Sequence, residues 1–165
     1  MTARRDATDE EARALASSLR LRILRACLHE SRTNKEIAAI LGRDPASVLH
    51  HVRTLVRTGF LVAEEQRRGT RGSREIPYRA SRKSWAISTP SQDRAMIDTF
   101  LEEVALVPAD QVDSARLGLQ LSAEDMGEFR DRLRTLLDDF AARPDDPDGE
   151  AWSVFLSIHP DPNQR

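Results

Sequence analysis

A mainly α-helical fold with small β-sheets is predicted for this chain of 165 residues. Apolar residues recur at helical spacing in several capped segments, which is the pattern of amphipathic helices. Two of these segments are short and joined by a glycine turn, and two short apolar runs around an arginine-rich loop follow them. Together these observations predict a winged helix-turn-helix, followed by a C-terminal helix and a βαβ-like module.

The segment from Thr33 to Phe60 is interpreted as two short helices joined by a tight turn. The first helix carries an apolar stripe and ends at Gly42, because glycine adopts the left-handed conformation readily. Asp44 is placed to cap the second helix, and Pro45 suits the first helical position. A helix of about 14 residues is roughly 21 Å long, which is enough to lie in a DNA major groove.

The polar face of the second helix supplies candidate DNA contacts. Its side chains are small at the start and hydrogen-bonding or cationic further along, as expected where a helix reaches base edges. We predict base contacts from Ala46, Ser47, Leu49, His50 and Arg53, with Leu49 equally open to partly buried packing. Backbone contacts are predicted from Thr33, Lys35, His51 and Arg57. The alternative is an ordinary helical hairpin with a solvated polar face, because such patterns are short and degenerate.

A β-hairpin with an arginine-rich tip is predicted directly after the second helix. Phe60 to Glu65 and Ile76 to Ala80 are strand candidates, and Gly69 and Gly72 make the intervening loop pliable. A hairpin in this place is a wing, which grips phosphates or inserts arginine into a minor groove. The predicted wing residues are Arg67, Arg68, Thr70, Arg71 and Arg74. The alternative is a solvated surface loop.

Charge is distributed unevenly, although the formal net charge of the chain is only −2. Residues 1–85 hold 18 basic and 10 acidic side chains, a net charge of +8, whereas residues 86–165 hold 7 and 17, a net charge of −10. This asymmetry predicts a basic DNA-facing module joined to an acidic one. We therefore expect a DNA-binding domain at residues 8–85 and a C-terminal α/β dimerisation or effector module at residues 91–160.

Two further helices are predicted before the helix-turn-helix. Thr8 and Glu11 form a capping-box pattern, in which each side chain bonds the other residue's backbone N–H. Ser17–Ser18 is expected to divide the apolar stripe that follows, because serine favours caps over helix interiors.

Three segments of the first half resemble the ArsR-type winged helix-turn-helix regulators. They are ALASSLRLRIL (Ala14 to Leu24), NKEIAAILG (Asn34 to Gly42) and SVLHHVRTLVRTGFL (Ser47 to Leu61). The resemblance covers roughly residues 10–85. It implies a homodimer that binds a two-fold DNA operator, usually as a repressor that a signal releases.

The chain departs from the metal-sensing members of that family. The helix from Thr33 to Leu41 has no cysteine and the segment from Ser91 to Val107 has no histidine, whereas soft metals need clustered thiolate or imidazole ligands. His50 and His51 make a poor metal pair, because adjacent helical side chains diverge by about 100°. The lone Cys27 lies in an apolar stripe and is predicted to be a core residue. We expect no metal and no cofactor.

The C-terminal module is predicted to begin after a linker at residues 81–90. Ser91 would cap a helix that ends before Pro108, and Ser122 would cap a second, longer helix that ends at Arg143. Residues 116–121 and 151–158 alternate apolar and polar side chains, which predicts a strand on each side of that helix. Strand, helix and strand would form a βαβ-like unit.

Two roles for this module are left open by the sequence. Apolar helical stripes usually pack, which favours dimerisation and core formation. The other role is binding of a small-molecule effector in a pocket lined by Trp85, Phe100, Phe129, Phe140 and Trp152.

No enzymatic motif stands out in the sequence. A glycine-rich phosphate loop, a Gly-x-Ser-x-Gly elbow and a His-Glu-x-x-His pattern are all absent.

With no signal peptide and no long apolar run, we expect a soluble, cytoplasmic protein that does not contact membranes, and the composition hints at a bacterial source. The prediction is a homodimeric, sequence-specific DNA-binding regulator, most simply a repressor. The alternative is a winged-helix protein-interaction module that does not bind DNA.

Overall fold

The computed structural model describes residues 4–69, 74–88 and 93–164. About half of the chain is helical and the sheets are small, as predicted. The chain divides into two compact units, residues 2–106 and residues 107–165. None of the described helices combines the length and the apolarity needed to cross a lipid bilayer.

The first unit is a winged helix-turn-helix. Its described helices are α1 (Asp9–Leu15), α2 (Ser18–Ala26), α3 (Asn34–Leu41), α4 (Pro45–Arg57) and α5 (Asp93–Val104). Its described strands are β1 (Arg5–Asp6), β2 (Arg32–Thr33), β3 (Leu61–Ala63), β4 (Arg67–Arg68), β5 (Arg74–Glu75), β6 (Pro77–Ala80) and β7 (Ile87–Ser88).

The helices of this unit begin and end where local chemistry predicts. The Thr8 hydroxyl accepts from the Glu11 N–H at 3.3 Å, and the Glu11 carboxylate accepts from the Thr8 N–H at 2.9 Å, which confirms the capping box. Ser17 separates α1 from α2. Gly42 ends α3 with a left-handed φ of 60°, and the Asp44 carboxylate caps two backbone N–H groups at the start of α4.

The wing is a hairpin that contains two successive strand pairs. Strands β3 and β6 pair antiparallel, with Leu61 opposite Ala80, and β2 joins the other edge of β6, so that the sheet order is β2-β6-β3. Further out, β4 and β5 pair with Arg67 opposite Glu75. The two strands predicted from the apolar runs are confirmed. The β4–β5 pair continues the hairpin into the segment predicted as a loop.

The segment predicted as a linker has structure of its own. A 3-10 helix covers Lys83–Ala86, and β7 follows it. Strand β7 pairs in parallel with β1 near the N-terminus, with Arg5 opposite Ile87. The sequence did not predict this pair, because two residues are too few for an alternating pattern to be recognised.

One apolar cluster fills the first unit. Its largest fully buried side chains are Phe60, Leu15, Ile23, Ile37, Leu55, Leu61, Val48, Val52 and Cys27. The prediction that Cys27 is a core residue is confirmed. Burial raises the pKa of the Cys27 thiol to about 11, so the side chain is protonated at neutral pH and packs as a small apolar group.

Helix α5 packs on α2 inside the first unit. Arg22 Nη1 lies 3.2 Å from Glu102 Oε2, and Arg25 Nε lies 2.6 Å from Glu103 Oε2. The sequence had assigned this helix to the C-terminal module that starts at residue 91. Because its acidic residues pair with the arginines of α2, the first unit instead extends to Leu106. The predicted cap, Ser91, lies outside the described residues.

The second unit contains one long helix and almost no core. Helix α6 (Ala123–Ala141) begins at the predicted cap, where the Ser122 hydroxyl accepts from the Asp125 N–H at 3.0 Å. Short 3-10 helices cover Ala109–Gln111 and Pro162–Gln164. Among residues 107–163, no side chain is buried.

The βαβ-like prediction for this unit is wrong. Residues 116–121 and 151–158 form no strand, although both segments alternate as predicted. Two strands are marginal without further strands or a covered face. The unit offers no buried surface on which such a sheet would pack.

Glu11 is the buried centre of an ion cluster that joins three parts of the first unit. Arg5 Nη2 lies 2.6 Å and Lys83 Nζ 2.7 Å from Glu11 Oε1. Lys83 Nζ also donates to the Thr58 carbonyl at 2.6 Å. The hydrogen bonds from Arg5, then Lys83, then the Thr8 N–H hold the pKa of Glu11 well below its ordinary range. The cluster ties β1 and the 3-10 helix to α1.

Glu11→Gln should lower the free energy of unfolding by about 1–3 kcal/mol, because the amide loses charge-assisted hydrogen bonds. The folded-state pKa is depressed, so the carboxylate stabilises the fold above its ordinary pKa of 4.5 and progressively less below it. Urea denaturation at pH 7 and pH 3 should therefore show a smaller difference between parent and variant at pH 3. Glu10→Gln, at an exposed site on α1, is the control. Equal losses for the two variants contradict the assignment.

Candidate nucleic-acid interface

The exposed face of α4 carries most of the predicted base-contacting residues. Ala46, Ser47, His50 and Arg53 are exposed, whereas Val48, Val52 and Leu55 on the opposite face are buried. Leu49 is half-buried, which fits partial packing better than a fully available contact. The apolar face therefore orients α4 so that its polar face points outward.

A hydrogen bond joins α3 and α4 in addition to the turn between them. Asn34 Nδ2 donates to the Pro45 carbonyl at 2.8 Å, which ties the start of α3 to the start of α4. Gly42 permits the reversal between them through its positive φ. The Arg43 N–H donates back to the Ala38 carbonyl at 2.9 Å and closes the end of α3.

The four predicted backbone-contacting residues lie in different environments. Thr33 is buried and caps α3, so its hydroxyl is already used, by the Glu36 N–H at 3.3 Å. His51 is half-buried, with its Nδ1 3.5 Å from Arg20 Nη1. Burial, then the neighbouring charge of Arg20, lowers the pKa of His51. Lys35 and Arg57 are exposed and ion-paired.

The wing presents its arginines unequally. Arg67 Nη2 donates to both carboxylate oxygens of Glu36, at 2.7 and 2.9 Å. Arg68 and Arg74 are exposed, and neither has a side-chain partner within the described residues. Thr70 and Arg71, also predicted for the wing, lie outside the described residues.

Two carboxylates that the sequence analysis overlooked hold the base of the wing against α3. Glu36 bonds Arg67, and Glu75 Oε1 lies 2.9 Å from Lys35 Nζ. The Thr33 N–H, which donates to Glu36, and the charge of Arg67 lower the pKa of Glu36. A Cβ at Gly69 would collide with the Glu75 carboxylate. The spacing of Thr33 and Glu36 is a capping-box signal, which identifies the true role of Thr33.

A cleft of about 420 Å³ lies beside the C-terminal half of α4, lined by Glu10, Arg13, Ala14, Arg20, Thr54 and Arg57. Arg57 Nε lies 2.9 Å from Glu10 Oε1. Arg20 donates to the Arg13 carbonyl at 2.7 Å and to the Ala14 carbonyl, and burial lowers its pKa. Of these residues, only Arg57 was predicted from sequence to contact DNA. Thr54 also belongs to α4, whereas the remaining lining residues come from α1 and α2, and only folding brings those to α4.

The five aromatic residues predicted to line a pocket are divided between the two units. Trp85 and Phe100 belong to the first unit, where the Arg4 guanidinium lies 4.6 Å from the centre of the Trp85 ring. Phe129, Phe140 and Trp152 belong to the second, where Phe140 and Trp152 are exposed. The cleft beside α4 and a neighbouring cleft of about 390 Å³, lined by residues of α1 and by Ala16, contain none of the five.

Residues 15–64 match the family model of a helix-turn-helix domain. The matched segment runs from the end of α1 past β3 and includes α3 and α4. The chain therefore contains a helix-turn-helix domain, and the hairpin that follows is its wing. A search of curated proteins gives no match to the chain.

Solved structures similar to this chain include three bacterial proteins. Reduced HlyU from Vibrio cholerae is 19% identical with a TM-score of 0.36, over 54% of this chain and 81% of HlyU. A mutant ZitR from Lactococcus lactis is 18% identical with a TM-score of 0.35, over 75% of each chain. A mutant S. aureus MepR bound to an oligodeoxyribonucleotide is 18% identical with a TM-score of 0.33, over 81% of this chain and 79% of MepR.

Proposed function

We propose that this protein is a sequence-specific DNA-binding transcriptional regulator, a homodimer of the ArsR-like type that acts as a repressor without a metal site. DNA binding is supported by the helix-turn-helix match and by the exposed polar face of α4. The ArsR-like type and repression are supported by the resemblance of the first half of the chain to that family.

One observation carries the proposal: the wing and the start of α4 both lie against the start of α3. Lys35 and Glu36 of α3 pair with Glu75 and Arg67 of the wing. Asn34 of α3 bonds Pro45 of α4. These contacts bring the base of the wing and the start of α4 to the same end of α3, which supports one shared surface. A recognition helix in the major groove with a cationic hairpin on its flank requires this arrangement.

The proposed contacts follow the exposed residues of this surface. Base contacts come from the exposed residues of α4, which are Ala46, Ser47, His50 and Arg53, with Leu49 contributing an apolar edge. Backbone contacts come from Lys35 and Arg57, and wing contacts from Arg67, Arg68 and Arg74, together with Thr70 and Arg71. Thr33 is left out because its buried hydroxyl caps α3, and His51 because it is half-buried beside Arg20.

The homodimer is supported by the second unit, which has apolar residues but no core. Large apolar side chains of residues 107–158 are exposed, including Leu117, Leu136, Phe140, Trp152 and Val154. These side chains leave apolar area in contact with water, which association with a second copy would remove. A two-fold dimer would cover this surface and suit a two-fold operator.

Arg53→Ala should relax base preference by about 1–3 kcal/mol at one position of each half-site, because Arg53 is the guanidinium among the proposed base-contacting residues of α4. To measure the preference, duplexes are selected from a random pool by the parent protein and altered one base pair at a time. Gel retardation then gives the affinity of each protein for each duplex.

Arg68→Ala, on the wing, should instead weaken binding to all duplexes alike and reduce the salt slope by about 1.

The outcomes of this experiment separate the proposal from its alternative. If the parent protein retards no duplex even in dilute salt, the winged-helix module serves protein interaction and not DNA binding. If Arg53→Ala keeps the selectivity of the parent protein, DNA binding stands and the assigned orientation of α4 in the groove is wrong.

Glu75→Gln should strengthen DNA binding about threefold to tenfold, because Lys35 is released from its carboxylate partner and becomes available to a phosphate. Affinity is measured by fluorescence anisotropy at two salt concentrations. Glu65→Gln makes the same charge change at an exposed residue that has no ion pair in the described structure. Equal gains for both variants would show a general charge effect and not release of Lys35.

Replacing Leu136 and Phe140 together by glutamine should shift the protein from dimer to monomer, because both exposed side chains belong to the surface that a second copy would cover. Sedimentation velocity over a range of concentrations measures the shift. Asp139→Asn, between them on α6, is the control and should leave the dimer intact. A monomeric parent protein, or an unaltered dimer in the double variant, rejects this role for the second unit.

A further inference from the structure

We propose that the cleft between α1 and the C-terminal half of α4 binds a phosphate of the DNA backbone, so that the interface extends beyond the helix-turn-helix and the wing. Arg13 and Arg57 contact the phosphate, Arg20 adds charge behind them, and Glu10 holds Arg57 in the absence of DNA. This inference rests on the proposed DNA-binding function and adds α1 to the interface.

The cleft is assembled from three helices that are separate in sequence. Helix α1 contributes Glu10 and Arg13, α2 contributes Arg20, and α4 contributes Arg57. Its volume of about 420 Å³ corresponds to that of roughly a dozen water molecules. That volume is sufficient for a phosphate with part of its sugar.

The arginines of the cleft carry more charge than the adjacent carboxylate neutralises. Arg20 donates to backbone carbonyls of Arg13 and Ala14, and Arg13 Nε donates to the Asp9 carbonyl at 3.1 Å. In the described part of the chain, the carboxylate that pairs with the lining arginines is that of Glu10. Three guanidinium groups therefore face one carboxylate, a net charge of +2.

The charge balance in the cleft differs from that at the base of the wing. At the base of the wing, Lys35 and Arg67 each have a carboxylate partner. Arg20 is half-buried and keeps its charge, because a guanidinium does not deprotonate in proteins. A charge that is partly removed from water acts more strongly on a nearby anion than a solvated charge does. The unpaired positive charge makes the cleft attractive to phosphate.

The cleft continues the exposed face of α4. His50, Arg53 and Arg57 are separated by three and four residues, so they lie along one side of the helix. The first two are proposed to face the groove, and Arg57 lies at the cleft. A phosphate bound there would follow the line of contacts from the base edges to the flanking strand. This continuity identifies the anion as DNA backbone.

The Arg57–Glu10 pair is suited to exchange with a phosphate. The side chains are 67% and 60% exposed, and an ion pair so exposed is weak. A phosphate offers arginine several acceptor oxygens and a bidentate geometry. Glu10 therefore opposes binding at this site without preventing it, and its removal should favour DNA.

The test combines protein variants with chemically altered DNA. Duplexes selected by the parent protein carry an uncharged methylphosphonate in place of one backbone phosphate at a time. Arg13→Gln should bind the unaltered duplex about threefold to tenfold more weakly, with a salt slope reduced by about 1. It should also lose the sensitivity of the parent protein to one phosphate in each half-site. Glu10→Gln should bind more tightly by a similar factor.

Two further variants control for charge and for folding. Arg132→Gln removes one charge from α6, where Arg132 is 80% exposed and lies 3.4 Å from Glu128, and it should bind as the parent protein does. Arg13→Lys retains the charge and should recover most of the affinity and the slope. If Arg13→Lys binds as weakly as Arg13→Gln, the effect is not electrostatic and the inference is overturned.

The remaining outcomes distinguish this inference from the function on which it rests. If the parent protein binds DNA selectively while Arg13→Gln retains its affinity, slope and methylphosphonate profile, the cleft is not part of the interface and the proposed function stands. If the parent protein binds no DNA at all, both the proposed function and the cleft assignment are rejected.

Discussion

The burial of one face of α4 is the constraint on which the rest of the surface depends. Val48, Val52 and Leu55 are fully enclosed by the core of the first unit. Because these positions repeat at helical spacing, their burial leaves the opposite face of α4 solvent-exposed along its length. The orientation of Arg53 and the position of Arg57 beside α1 both follow from this packing. A substitution at one of these core positions would therefore change the orientation of the exposed face of α4, although the substituted residue does not lie on that face.

Carboxylates adjust the positive charge of the interface. Glu36 and Glu75 hold the base of the wing to α3, and Glu10 holds Arg57 beside α1. Each of these pairs makes the free protein more ordered and less positively charged at the surface that DNA would approach. Binding phosphate requires that some of these pairs exchange partners. In the proposed interface, these acidic residues would lower the attraction of the paired basic side chains to phosphate.

The second unit has a well-defined helix but no buried core among its described residues. Helix α6 is well capped by Ser122 and carries an apolar stripe, yet none of the described side chains after residue 106 is buried. Local signals therefore specify a helix without specifying what covers it. Tertiary packing supplies most of the stability of a helix in a protein, and α6 lacks the buried contacts that stabilise the helices of the first unit.

Capping and turn chemistry determined the helices of the first unit from sequence alone, because Thr8, Gly42 and Asp44 act on neighbouring residues. The wing strands β3 and β6 were equally readable from their apolar runs, and Cys27 from its place in an apolar stripe. Only the tertiary structure decided that α5 packs on α2, that Thr33 is buried, and that Glu11, Arg5 and Lys83 form one cluster. The meeting of Arg13, Arg20 and Arg57 was likewise invisible in sequence. These contacts join residues far apart in the chain, and their geometry is set by packing, which leaves no local pattern.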